Sequence, residues 1–523
     1  VARSFHHLSG LDATFLHLES PEMPMHVGGL HLFELPPGYQ GDFHEEVRRH
    51  IGSRMHLAPA YRRKLVSMPF DLANPVWMRD PNVDLDYHVR RIVLSKPGSM
   101  AQLEAYVGRL HSSLLDRSRP LWETYVIEGL ASGQVAMYSK LHHAAVDGQA
   151  AVELAKLMFD VSPAGRHIEP PLQEEPEDEP TVRELLQSGA RNSLAQLGRF
   201  AQLVPALAKG GARLAAHRLL PPRLGGSGEG LPKFSRGPRT PLNVAITNQR
   251  NFTTTSVPLA GAKLVSKALG VTINDIVLAT CSGALRRWLE EHGGIPDQPL
   301  VVAVPFSLRE TGDASSNNQV SMMLADLATH MEDPAGRLQA IRASMLKGKA
   351  IAGSLRAGIP TDYPSLGAPW LVSGLAALFG RSKLADTMAP IANVVISNVP
   401  GPQVPLYLAG ARMTSHFPVS IVVHSIALNI TVQSYCGAIE FGLTACKRAV
   451  PDLAKFKDHI QATANEYAEM AQRLTAPEQR APVKKSRATR KRNGDATVES
   501  TAVAPVRVRK ARSAKSRHKE APH

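Results

Sequence analysis

The segment Ser139–Ala150, SKLHHAAVDGQA, sets His142 and His143 side by side, four and five residues ahead of the Asp147-Gly148 pair. Histidine is suited to take a proton from a reacting hydroxyl, because its unperturbed pKa lies near neutral pH. Asp147, within one helical turn, is placed to fix the local geometry by accepting hydrogen bonds or pairing with an arginine. Gly148 lets the backbone turn closely beside it. No Gly-x-Ser-x-Gly elbow or active-site cysteine signature accompanies the pair. Direct transfer, with histidine activating an incoming nucleophile, therefore fits better than a covalent intermediate. Adjacent histidines do not easily aim at one ion, and no third ligand has helpful spacing, which disfavours a metal site. A lone His-His pair is more often a core or turn feature; four fixed positions in seven shift the balance toward chemistry.

Something must hold this pair in place. Val135–Leu141 alternates apolar and polar residues, so it reads as a strand whose end points the adjacent histidines to opposite faces. One can then enter a cavity while the other packs inward. Gly148–Phe159 reads as a helix with Asp147 at its N-cap. Upstream, His26–Phe33 predicts a strand, Glu45–Ser53 a short helix and Asp84–Leu94 a half-buried strand. Met100–Leu115 has helical spacing, with Leu103, Val107, Leu110 and Leu114 on one face. Downstream, Thr272-x-x-Asp275 is a capping-box-like start for a helix running to His292. Thr253–Pro258, Leu300–Pro305 and Asn393–Ser397 read as strands. Ser420–Ser434 and Ala438–Thr444 read as paired strands around Cys436-Gly437, and Val450–Leu474 as a closing helix.

The chain has 523 residues, 43% hydrophobic and 20% charged, which is ordinary for a globular protein and long enough for two cores. Its net charge of +14 is unevenly spread: residues 477–523 hold fourteen Lys/Arg against four Asp/Glu. That tail has few large apolar residues and is expected to be disordered. A basic run of this kind is usually a nonspecific solvated polycation, so specific nucleic-acid binding ranks low. Pro170–Pro180 is an acidic, proline-rich linker. Arg183 to about Arg218 is basic and amphipathic, suited either to an interface with lipid or to packing between domains. No uncharged stretch reaches the roughly 20 apolar residues of a spanning helix; Tyr363–Gly380 comes nearest but is broken by proline and glycine. The opening residues carry no apolar secretory region, and Cys281, Cys436 and Cys446 are widely spaced, as expected of a reducing cytosol. The division expected is 1–167, a connector over 168–238, a second domain over 239–475 and the tail over 476–523.

The His-His-x-x-x-Asp-Gly pattern resembles the signature of the CoA-dependent acyltransferase superfamily. Further segments resemble one branch of it, the bacterial wax ester synthase/diacylglycerol acyltransferase family: Leu8–Leu18 (LSGLDATFLHL), Pro120-Leu121-Trp122, Arg239–Asn243 (RTPLN), Asn274-Asp275, Pro305–Arg309, Asn317–Val320, Ser397–Pro402 (SNVPGP) and Tyr435–Leu443. The likeness runs from about residue 4 to 475. It implies an α/β fold of two chloramphenicol acetyltransferase-like domains with a tunnel between them. It carries general-base catalysis to His143, a structural role to Asp147 and a supporting role to His142, with Gly148, Asn274 and Asp275 as supporting motif residues. Asn274 and Asp275 equally suit a helix start, and Pro120–Trp122 and Asn398–Pro402 suit architecture.

The reaction implied moves a long-chain acyl group from acyl-CoA to diacylglycerol or a long-chain alcohol. Acyl-CoA is a substrate, and no cofactor is expected to be permanently bound. The expected setting is the bacterial cytoplasm, in peripheral contact with the inner membrane or lipid droplets. Rival readings are a condensation-type or polyketide-associated acyltransferase that uses a carrier protein, and a lipid-droplet-binding protein without turnover. The residues that bind CoA or stabilise the oxyanion are not identified by the sequence, nor is the oligomeric state.

Overall fold

The computed structural model describes residues 5–69, 73–146, 148–171, 179–192, 194, 236–307, 320–356 and 386–475. Asp147, Tyr363–Gly380, most of the 183–218 stretch and the basic tail lie outside them. So do residues 308–309 and 317–319 of the expected family segments.

Among the described residues the strands form two six-stranded sheets and one small three-stranded sheet. The small sheet joins β1 (His6–His7), β3 (Arg63–Val66) and β4 (Val76–Arg79). The first large sheet contains β2 (His26–Glu34), β5 (Val89–Val93), β6 (Trp122–Glu128) and β7 (Val135–His142). Its order is β12-β13-β2-β7-β6-β5, because β12 (Tyr407–Leu408) and β13 (Ala411–Val419) join it from far along the chain. The second large sheet runs β10-β9-β11-β14-β15-β8. Its strands are β8 (Arg250–Pro258), β9 (Val301–Ser307), β10 (Val320–Asp326), β11 (Val394–Val399), β14 (Leu428–Tyr435) and β15 (Ala438–Cys446).

The helices are α1 (Gly10–Leu18), α2 (Phe43–Arg54), the single turns α3 (Pro59–Arg62) and α4 (Leu85–His88), α5 (Met100–Ser112), α6 (Gly148–Met158), α7 (Leu259–Leu269), α8 (Ile273–Glu291), α9 (Pro334–Arg356) and α10 (Phe456–Thr475). Among the described residues no single helix is long and apolar enough to cross a membrane. The second sheet and α7–α10 share one core, containing Trp288, Val302, Ile430, Leu443 and Phe456. Each such side chain contributes roughly 1.5–3 kcal/mol on burial. The first sheet has a core on each face: Phe33, Val47, Met137 and Met158 on one, Leu30, Leu103, Tyr138 and Phe252 on the other.

Several local expectations hold. Thr272 caps α8 in a reciprocal capping box with Asp275, and His292 ends the helix. Tyr435 pairs with Ala438 across a tight turn whose Cys436 and Gly437 both have positive φ, 42° and 88°. Such a turn matches the twist of a hairpin.

Three expectations are corrected. Asp84–Leu94 is not one strand: Asp84 Oδ1 accepts from the N–H groups of Asp86 and Tyr87, capping α4 before β5 begins. This local bond competes successfully with extended pairing. Ser420–Ala427 is irregular, apart from an isolated Val423–Ile426 bridge, and β14 starts at Leu428. The closing α-helix starts at Phe456, after a short 3-10 turn over Leu453–Lys455.

Polar and glycine positions make much of the contact between the two large sheets and their helices. Along α5, Glu104, Gly108 and Ser112 are spaced by four residues and share a face. Glu104 accepts from the Thr254 N–H (2.8 Å) and the Thr253 hydroxyl (3.2 Å) on β8, and from Lys457 of α10 (2.8 Å). A Cβ on Gly108 would lie 2.8 Å from the Arg250 carbonyl, and Ser112 Oγ accepts from the Arg250 N–H. The Leu114 expected on the helix's apolar face lies beyond its end and is exposed. On the other side of the contact, a Cβ on Gly442 of β15 would lie 1.7 Å from the Pro418 carbonyl of β13, so the backbones touch directly.

Candidate active site

β7 runs between β2 and β6 and ends at the histidine pair. Its register sets His142 opposite His26 and Leu141 opposite Val27. β7 ends at His142, His143 lies in the turn that follows, and the two differ in burial. His142 is fully buried and His143 half-buried.

The backbone of this turn is tied on three sides. His142 N–H donates to the Leu121 carbonyl (3.0 Å), His143 N–H to the Met25 carbonyl (2.8 Å) and Ala145 N–H to the His142 carbonyl (2.9 Å). The His142 ring adds a fourth tie. Its Nδ1 accepts from the Ala144 N–H (3.1 Å), so the ring proton sits on Nε2, which donates to Glu19 Oε2 (3.1 Å). The His143 ring stacks on Phe15, with centroids 4.1 Å apart and planes 11° from parallel.

Helix α1 and the residue that follows it supply both partners. Ser9 caps it, its Oγ accepting from the Asp12 N–H (3.1 Å). Leu16 and Ala13 pack with Leu121 and Ala144 beside the histidine turn. Phe15 also packs against a second cluster, where Met25 meets Ile246, Val422 and Ala427. Residues from both halves of the chain therefore support the segment against which His143 rests.

Glu19 follows α1 and is the central acceptor. Its Oε1 receives Arg117 Nε (3.1 Å) and Nη2 (2.8 Å), and its Oε2 receives His142 Nε2 and the Met25 N–H (3.2 Å). Burial alone would raise its carboxyl. The hydrogen bond from His142 and the charge and hydrogen bonds of Arg117 outweigh this and hold it at about 2. The sequence reading missed Glu19 and Arg117. The available signal was position: one directly follows LSGLDATFLHL and the other lies three residues before Pro120-Leu121-Trp122.

A second buried polar chain braces β7 from below. Lys140 Nζ donates to Glu123 (3.0 Å) and to the Leu110 and Ser113 carbonyls (3.2 and 2.9 Å) at the end of α5. His111 Nε2 donates to the Ser420 carbonyl (3.0 Å), which leaves its Nδ1 to accept from Tyr138 (2.8 Å). Burial pushes His111 down to about 3, so it serves as a neutral bridge.

The remaining expected site residues lie as follows. Gly148 opens α6. Asp275 is engaged in the α8 cap, accepting from the Thr272 N–H and hydroxyl. Asn274 Oδ1 accepts from Asn398 Nδ2 (3.3 Å), linking the Asn274-Asp275 and SNVPGP segments. Asn243 of RTPLN ties Ala392 and Ser425 together through its Nδ2, and Trp122 is buried with its Nε1 on the Tyr61 carbonyl. Both are architectural. Among the described residues, one trio has metal-ligand character, Glu291, His292 and Asp452, and it already holds the Lys455 ammonium.

The chain thus carries two mixed six-stranded sheets, with the histidine pair at the end of a central strand of the first. Models of the wax ester synthase/diacylglycerol acyltransferase catalytic domain and of the WS/DGAT C-terminal domain match residues 8–277 and 316–467. A Mycobacterium tuberculosis protein provisionally named as a diacylglycerol O-acyltransferase is 40% identical over 459 residues, covering 88% of this chain and 98% of its own. The O-acyltransferase WSD of Acinetobacter baylyi is 34% identical over 455 residues, covering 87% and 95%. The solved wax ester synthase/diacylglycerol acyltransferase from Marinobacter aquaeolei VT8 superposes with a TM-score of 0.63 at 31% identity, covering 89% of this chain and 99% of that one. A condensation domain of the CDA synthetase, at 14% identity and a TM-score of 0.51, shares the fold. The chain belongs to the wax ester synthase/diacylglycerol acyltransferase family and is an O-acyltransferase.

Proposed function

We propose that this enzyme transfers a long-chain acyl group from acyl-CoA to the hydroxyl of diacylglycerol or a long-chain alcohol, with His143 as general base. The observation that carries the assignment is the asymmetry of the pair. His142 is fully buried with both ring nitrogens hydrogen-bonded, whereas His143, in the turn that follows β7, is half-buried. His143 takes the hydroxyl proton as the oxygen attacks the thioester carbonyl. The C–S bond then breaks, and the departing CoA sulfur takes the proton from the imidazolium. Asp147 is assigned to holding the turn and His142 to supporting its neighbour.

Peripheral contact with a membrane or lipid-droplet surface in the bacterial cytoplasm belongs to the same reading. It rests on the basic tail and on the 183–218 stretch, which begins with an exposed Leu186 and Leu194. In its described part, Leu185 packs on Met68, Ala73 and Val76 beside the small sheet, so this stretch also has an anchoring face.

The test is turnover of radiolabelled palmitoyl-CoA with hexadecanol or dioleoylglycerol, with the lipid products separated. His143→Ala is expected to lose at least about a hundredfold while melting like the wild type, since general-base catalysis contributes about 10²–10⁴-fold. Near wild-type turnover by folded His143→Ala would exclude it as the base. Absence of labelled ester from the wild-type enzyme would exclude these substrates.

A further inference from the structure

Glu19 touches the histidine pair by two routes. One oxygen holds His142 directly through Nε2. The same oxygen accepts from the Met25 N–H, while the Met25 carbonyl receives the His143 N–H. A single carboxylate thus fixes the ring of one histidine and, through one intervening residue, the backbone of the other. Its second oxygen is gripped by Arg117, whose Nη2 also donates to the Leu16 carbonyl (2.7 Å) and so ties the group to α1. The Glu19 side chain is only 3% exposed, whereas that of Arg117 is 46% exposed, so the carboxylate is buried and its cationic partner reaches solvent.

The chemical consequence is a choice of tautomer. A carboxylate only accepts, so it demands a proton on His142 Nε2. That leaves Nδ1 free to accept the Ala144 N–H, which closes the turn immediately after His143. Without the carboxylate the opposite tautomer becomes available, and its Nδ1–H would confront the Ala144 N–H. We propose that Glu19, locked by Arg117, is a positioning residue for acyl transfer: it selects the His142 tautomer that holds the His143 turn and sets the electrostatic field in which His143 accepts its proton. This assignment rests on His143 being the base.

Opposite members of the pair should move the base in opposite directions. Glu19→Gln leaves Arg117 unneutralised beside the site, which disfavours an imidazolium. Arg117→Gln leaves an unneutralised carboxylate, which favours one. The experiment measures kcat, KM for palmitoyl-CoA and the acid limb of kcat/KM against pH, with hexadecanol as acceptor and full-length protein throughout. Glu19→Gln is expected to lose tenfold or more in kcat, keep KM within about threefold, and shift the acid limb to lower pH. Glu19→Asp, which keeps the charge, should recover most of the rate and return the limb, while Arg117→Gln should shift it upward.

A folded Glu19→Gln with kcat within threefold and an unmoved limb overturns the proposal. So does a rate loss that Glu19→Asp does not recover and that leaves the limb in place. Should Glu19→Gln fail to fold, Arg117→Gln decides: an upward limb supports the assignment, and an unmoved limb overturns it. His143→Ala separates the two layers. If it keeps turnover, the general-base reading fails, whereas an inactive His143→Ala beside unmoved limbs removes only the role of Glu19.

Discussion

Two buried glutamates, one at each end of the first sheet's business, show how partners rather than depth set the state of a carboxyl. Glu19 lies under the histidine turn. Burial would raise it, but the hydrogen bond from His142 and the charge and donors of Arg117 bring it down to about 2. Glu440, 2% exposed, lies on β15 where the second sheet meets β13. Burial raises it to about 7, and its hydrogen bonds, from the His416 N–H and the Ser415 side chain, only partly offset this. Nearby imidazoles supply no cation there: burial lowers His31 and pushes His416 to about 4. The first site keeps a negative charge beside the histidine pair. The second keeps a carboxyl that is most comfortable protonated.

The signs for stability follow from linkage. Glu19's depressed pKa contributes stability that is present above its ordinary value of 4.5 and lost as pH falls toward 2. Glu440's raised pKa acts in reverse: the folded state is favoured while the group is protonated, and the advantage is lost as pH rises from 4.5 through 7.

A third buried carboxylate, Glu104, tests whether a cationic partner is what makes such a group useful in joining the two halves. Its oxygens hold Lys457 and two threonines of β8. Glu104→Ala strands these donors and should destabilise the fold by about 4 kcal/mol, read from denaturant unfolding. A loss below about 1 kcal/mol would place the joint in apolar packing instead.

Glu440→Gln sharpens the contrast from the other side. The displacement from 4.5 to about 7 corresponds to roughly 3 kcal/mol once the group is ionised. The variant should therefore be more stable than the wild type at pH 8 by up to that amount, with the difference shrinking to nothing near pH 4. Equal unfolding midpoints at pH 8 would show that Glu440 is not strained by ionisation.

Asn398→Ala supplies the uncharged reference and the smallest effect. It removes a single 3.3 Å amide contact to Asn274 and should cost about 1 kcal/mol or less, with no dependence on pH between 5 and 8. A pH-dependent loss would mean that the contact is coupled to an ionisable group.

These contrasts explain which parts of the molecule were legible in the sequence. The α8 cap was legible because Thr272 and Asp275 satisfy each other within three residues. The α5 helix and its apolar face were legible, since Leu103 and Val107 share a core with Phe252 of β8. Its polar stripe was not: Glu104, Gly108 and Ser112 meet the same strand. A polar stripe resembles a solvated surface until its partners are known. The Asp84–Leu94 error has the same origin, since an alternating pattern carries no record of the aspartate cap that interrupts it.

What the sequence determined by itself is short-range or patterned: the strand leading into His142-His143, the α8 start and the Cys436-Gly437 hairpin. The family segments added that these belong to one acyltransferase. Tertiary structure alone decided that Glu19 and Arg117, 98 residues apart, form the support beneath the histidine turn, and that Phe15 backs His143. It also decided that β12 and β13 extend the sheet carrying the histidines. The physical reason is that alternation and capping are settled within a few residues. The partner of a buried charge is settled by which distant segments exclude water together, and no local periodicity encodes that.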